Sequence, residues 1–102
     1  MNSWFPKLMS DPAFVDKVKA RWKSLRTGLY SNAQLEARMS MLTAQLDPAA
    51  VARDFAKWPV SMVYPTATGF VRGPAGATWE EQVKAMHDYV IARAAWMDTQ
   101  WQ

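Results

Sequence analysis

Four helix-start signals punctuate this chain and constrain its fold more than any other feature. Asp11-Pro12 and Asp47-Pro48 each join a side chain that can cap a helix to a proline suited to the first helical position. Ser31 with Gln34, and Thr78 with Glu81, have the spacing of a capping box, in which cap and third residue each serve the other's backbone N–H. Apolar residues follow each start at helical intervals. The pattern predicts an all-α fold, a small bundle of about four helices over 11–27, 32–46, 48–58 and 79–101. A short turn or helix around Trp4–Met9 precedes them.

The stripes show which faces these helices are expected to bury. Tyr30 and Leu35 occupy the two positions of a hydrophobic staple around Ser31, and Leu35, Met39, Leu42 and Leu46 continue along one face. Val51, Phe55 and Trp58 mark the third helix, which Pro59 ends. The last carries Trp79, Val83, Met86, Val90, Ala94, Met97 and Trp101. Gly28, just after the first helix, suits a left-handed closing residue.

Between Pro59 and Thr78 the connection is longer than the roughly 12–15 residues usual inside a compact domain. Met62, Val63, Tyr64, Phe70 and Val71 make it apolar. A small hairpin around 66–69 is one reading; an irregular loop pinned onto the bundle is the preferred one.

At 102 residues, half of them hydrophobic and with six Trp and seven Met, the chain suits one domain. Cysteine is absent and His87 is the sole histidine, so disulfides, thiol chemistry and any site needing two histidines are excluded. No apolar run approaches the roughly 20 residues of a membrane span, and the start lacks the apolar core of a signal peptide.

Charge is unevenly placed. Residues 1–26 carry six Lys/Arg against Asp11 and Asp16, whereas the whole chain is only +3. The stretch VKARWKSLR (18–26) concentrates this excess around a tryptophan. On a helical wheel Phe14, Val15, Val18, Trp22 and Leu25 share one arc, with Lys17 and Arg21 on one flank and Lys19, Lys23 and Arg26 on the other. Trp22 therefore turns inward. Cations split in this way do not form one stripe along a phosphate backbone, so no nucleic-acid partner is expected. Basic flanks also fit a helix lying on an anionic membrane, but three other segments offer matching apolar stripes, which disfavours that partner.

Chemistry-bearing constellations are scarce. Gly69, Gly73 and Gly76 lack the setting of a phosphate loop. His87 sits at the margin of the apolar stripe and reads as a satisfied boundary histidine. Glu80 and Glu81 belong to a first helical turn, where carboxylates favour the helix dipole. Arg93 breaks the pattern: it projects between Met86 and Tyr89, with Trp96 beside them, and a partly buried arginine wants a carboxylate such as Asp54 or Asp98, or an aromatic face. A contact to a ligand anion is the lesser alternative. Trp4 and Phe5 precede the first firm helix and, with Met62, Tyr64 and Phe70, are the expected interaction surface. No catalytic, cofactor-binding or metal-binding residue is expected.

Three motifs together resemble the C-terminal helical region of CotH-like kinases, the spore-coat protein H family. WFPKLMSDPAFVDKVKARWKSLR (4–26) resembles a pattern of an aromatic, Lys/Arg-Leu, Asp-Pro-x-Phe and Arg-Trp-x-x-Leu-Arg. AAVARDFAKWP (49–59) resembles an Ala-x-x-Arg-(Asn/Asp)-Phe-x-x-Trp element, and TWEEQVKAMHDYVIARAAWMDTQW (78–101) a closing helix with Thr-Trp-x-x-x-Val, an Arg and Trp-(Leu/Met)-Asp. The resemblance implies relatives that are bacterial atypical kinases moving phosphate from ATP to serines of coat proteins. It places their ATP- and metal-binding acidic residues upstream of the part matched here, so ATP and divalent metal are expected only in a parent protein. The implied role is non-catalytic: a fragment giving helical support or recognition, with a catalytic lobe as partner. A freestanding helical interaction module, with self-association as one form of it, is the alternative.

Overall fold

The structure, a computed structural model, describes residues 4–59, 64–65, 71–72 and 78–102. Its helices are α1 (Trp4–Met9), α2 (Pro12–Arg26), α3 (Asn32–Thr43), α4 (Pro48–Lys57) and α5 (Trp79–Gln100). The all-α class follows directly. Strands β1 (Tyr64–Pro65) and β2 (Val71–Arg72) pair antiparallel, with Tyr64 opposite Arg72 and Pro65 opposite Val71. The connection before α5 thus carries a minimal hairpin where an irregular loop was preferred. Two rungs, one with a proline that cannot donate, add little stability by themselves.

The caps explain where the helices begin. Asp11 and Asp47 each take up an extended backbone and accept the N–H two residues on, from Ala13 and Ala49, at 3.0 Å. At α5 the capping box is complete: Glu81 N–H donates to Thr78 Oγ1 and Thr78 N–H to Glu81 Oε2, both at 3.1 Å. At α3 it is half made. Gln34 N–H donates to Ser31 Oγ at 3.3 Å, but Ser31 N–H turns back to the Gly28 carbonyl.

Two helix ends depart from the sequence reading. Helix α3 stops at Thr43 and not at residue 46. The Thr43 hydroxyl donates to the carbonyls of Met39 and Ser40, and Gln45 and Leu46 close tighter turns onto Leu42 and Thr43. Asp47 must be extended to cap α4 and to precede Pro48, so the chain leaves the α conformation beforehand. At α2, Thr27 is the cap, with φ −85° and ψ −8°, and Gly28 does not take the left-handed conformation. The end is closed by short-range bonds, Gly28 N–H to Leu25 O at 3.1 Å and Tyr30 N–H to the same carbonyl at 2.7 Å.

The residues group into two compact units, one of Met1–Leu35 with Ile91–Gln102, the other Glu36–Val90. In the first, α1 packs on α2. Burial is shallow throughout. Among the described residues Ala94 alone is buried, at 5% exposure, while Leu42, Leu46 and Trp58 from the expected stripes are half or more exposed. Leu35, Met39, Val51 and Phe55 are half-buried.

Candidate functional site

In the unit of Met1–Leu35 with Ile91–Gln102, the polar geometry converges on Asp98. Helical spacing puts Trp22 and Arg26 one turn apart on α2, and both reach this carboxylate from α5. Trp22 Nε1 donates to Oδ1 at 2.8 Å; Arg26 Nε donates to Oδ1 and Nη2 to Oδ2, both at 3.0 Å. The remaining guanidinium nitrogen, Nη1, donates to the Tyr30 carbonyl at 2.6 Å. The arginine fork matches two carboxylate oxygens and a carbonyl at once, which a lysine could not do. The Arg26 bonds, helped by Trp22, hold the Asp98 carboxyl below its ordinary value of 3.8 against a smaller opposing effect of burial. Trp22 also meets Trp101 edge-on at 5.6 Å and Tyr30 at 6.4 Å, so the ring is inward-facing.

This network disposes of one expectation. Asp98 is engaged by Arg26 and is not a partner of Arg93. Arg93 is exposed, not partly buried, and its guanidinium lies 4.2 Å from the centre of the Trp96 ring, itself 49% exposed. The Arg26 contact was missed because the wheel places that residue on the basic flank. The available signal was its one-turn spacing from an inward tryptophan.

In the unit of Glu36–Val90, Phe55 and Trp79 meet edge-to-face at 6.2 Å. They line an open cavity of about 550 Å³ with Leu46, Pro48, Val51 and Thr78, and a smaller one of about 250 Å³ shares Leu46, Val51, Phe55 and Trp79. Another, of about 580 Å³, is walled by Glu36, Ser40, Val83, Lys84 and His87. Lys84 pairs with Asp88 across one turn, a solvated pair of small energetic weight. His87 does not match its expected satisfied state: its Nε2 is buried and has no hydrogen-bond partner among the described residues.

Trp4 and Phe5, at 58% and 60% exposure, are in tilted contact at 6.1 Å on α1. Met62 and Phe70 lie outside the described residues, and of Tyr64 only the backbone pairing in β1 is described. Among the described residues no group of three His, Cys, Asp or Glu side chains is arranged to hold a metal ion. Among them, too, no helix is long and apolar enough to cross a membrane.

In the unit of Met1–Leu35 with Ile91–Gln102, two side chains of α2 thus clamp one carboxylate of α5, and Trp4, Phe5 and Trp96 of that unit stand exposed. The chain belongs to the CotH kinase protein family, whose family model matches residues 1–97. No curated protein and no solved structure matches it. Trp22, Arg26 and Asp98 all come from segments that carried the resemblance, the first and the last, and the fold brings those segments together.

Proposed function

We propose that this chain is the non-catalytic helical support region of a CotH-like kinase, packing against a catalytic lobe that these residues do not include. One observation carries the reading: Ala94 alone is buried among the described residues, whereas twelve large apolar side chains, from Trp4 and Phe5 to Tyr89 and Trp96, stand at least 38% exposed. Isolated exposed apolar residues are ordinary, but so many beside so little core leave the burial that stabilises a domain unmade. A catalytic lobe would supply it. ATP and divalent metal would then belong to that lobe, and the helices would position it or its protein substrate.

The test compares this chain with the same chain joined to a CotH catalytic lobe. Alone, it should bind a hydrophobic dye and melt broadly at low temperature; joined, dye binding should fall and the melt should sharpen. A sharp, high-temperature melt without dye binding in the isolated chain would overturn the proposal. So would a clear thermal shift on adding ATP and magnesium, since the support region is proposed to bind neither.

A second reading, a freestanding and self-associating module, is favoured by the exposed pair Trp4 and Phe5. Light scattering separates the two. A dimer whose mass is lost on Trp4→Ala with Phe5→Ala supports self-association, and a monomer excludes it.

A further inference from the structure

Among the described residues some cations are held in ion pairs and others are not. Arg26 is held by Asp98, and Lys84 by Asp88. On α2, Lys17 and Arg21 are one turn apart on one flank, and Lys19 and Lys23 one turn apart on the other. Like charges at this spacing repel and destabilise a helix. None of the four forms an ion pair with a described residue. Asp16, among them, is likewise without an ion pair there, and Asp11 is committed to capping α2. Lys17, Arg21 and Lys23 are exposed and Lys19 half-buried. In the same unit α1 presents Lys7 with the exposed rings of Trp4 and Phe5.

We propose that α2, with the aromatic pair of α1, docks a flexible acidic protein segment that crosses the outer face of the helix, its carboxylates meeting Lys17 and Arg21 on one flank and Lys23 on the other and its apolar side chains meeting Trp4 and Phe5. Charge complementarity selects the class of partner, because an anionic surface removes the like-charge repulsion that the chain itself leaves uncompensated. A membrane is the weaker match. An interfacial helix needs its apolar face free to enter the lipid, and that face of α2 is engaged by Trp22 with Trp101, Tyr30 and Asp98. Nucleic acid fits less well too: the cations lie on two flanks and not along one phosphate track. Exposed aromatics beside arginine and lysine suit a protein interface, where buried rings anchor and rim charges steer. This inference shares Trp4 and Phe5 with the catalytic-lobe reading, and the charge variant, which leaves both rings in place, tells its failure apart from the failure of that reading.

Fluorescence anisotropy on the full chain tests it, using a labelled Glu-rich peptide with leucines at helical spacing. Vesicles of phosphatidylserine and phosphatidylcholine, and a short DNA duplex, serve as competing ligands. The peptide should bind, and more weakly as salt rises from about 20 to about 150 mM. Binding should fall about tenfold or more in Lys17→Gln/Arg21→Gln/Lys23→Gln, a variant that changes exposed side chains only and whose fold circular dichroism verifies. Trp4→Ala/Phe5→Ala should also weaken it, and Lys57→Gln, in the other unit, should not. Absent peptide binding overturns the proposal, as does a smaller fall in the charge variant, an equal fall in Lys57→Gln, or tighter binding of vesicles or DNA.

Discussion

Arg26 grips Asp98 with two guanidinium nitrogens at 3.0 Å, joining residues 72 positions apart in the sequence. Because the folded carboxyl lies below its ordinary value of 3.8, the pair stabilises the fold at any pH above that value. The contribution is lost as pH falls through the lowered folded value and the carboxylate takes up a proton. Thermal melts between neutral pH and strong acid should therefore lose a component only below the ordinary carboxylate range. Asp98→Asn should lower the melting temperature at neutral pH and remove that component. An unchanged acid profile in the variant would show that Asp98 is not the titrating group.

Arg26→Lys keeps the charge but not the fork. It should lower the melting temperature while leaving the Trp22–Asp98 bond possible, whereas Trp22→Phe keeps most of the ring and removes one donor. If the three residues act as one network, the double variant should cost less than the sum of the singles. Strict additivity would count against a network.

Gly28→Ala distinguishes two accounts of how α2 ends. A left-handed glycine would make alanine strained, but Gly28 does not adopt that conformation, and an added Cβ meets only Ser24 O, at an ordinary 3.5 Å. The substitution should be neutral or should raise stability by about 0.4–1 kcal/mol through the reduced entropy of the unfolded chain. A chemical denaturation midpoint checks it, and a marked loss would contradict the structure.

The contrast between caps follows from their bonds. Thr78→Ala removes one half of a completed box and should cost about 1 kcal/mol, while Ser31→Ala, where the box is half made at 3.3 Å, should cost about 0.5 kcal/mol. Helicity and denaturation midpoints of the two variants should rank in that order.

These local features were the most legible part of the sequence, because a cap and its proline act over a few residues and owe little to the rest of the chain. Asp11, Asp47 and Thr78 open helices where their motifs place them, and Trp22 turns inward as the wheel requires. What escaped depends on partners far along the chain. Trp96, three residues from Arg93, was within reach of the local reading as an aromatic face, whereas nothing local says that Arg26 would meet Asp98, 72 positions away. Apolar spacing likewise marks Leu42 and Leu46 as core, although both remain about half exposed; a stripe shows which residues favour burial and not what buries them. The α3 capping box was half made for a local reason, since Ser31 N–H had a nearer acceptor in the Gly28 turn.

Arg93 now carries a modest expectation. An exposed arginine over an indole contributes about 0.5–1 kcal/mol, so Arg93→Met should lower stability by less than about 1 kcal/mol. A larger loss by denaturation would indicate a buried anionic partner that the exposed position argues against.

Phe55 and Trp79 offer the sharpest check on the shallow core of the Glu36–Val90 unit. Their rings meet at 86°, edge to face, and together they wall both apolar cavities there. Full burial of a phenylalanine would make Phe55→Ala cost about 3–5 kcal/mol, but this ring is only half-buried and already borders open space, so about 2 kcal/mol is expected. The ring pair itself should account for about 1 kcal/mol of that, measurable as the coupling in a double-mutant cycle of Phe55→Leu and Trp79→Leu. Coupling near zero would mean that the two rings are neighbours without being a packing unit. If this chain is joined to a lobe that covers these cavities, Phe55→Ala should cost more than it does in the chain alone, because the void it leaves could no longer open to water.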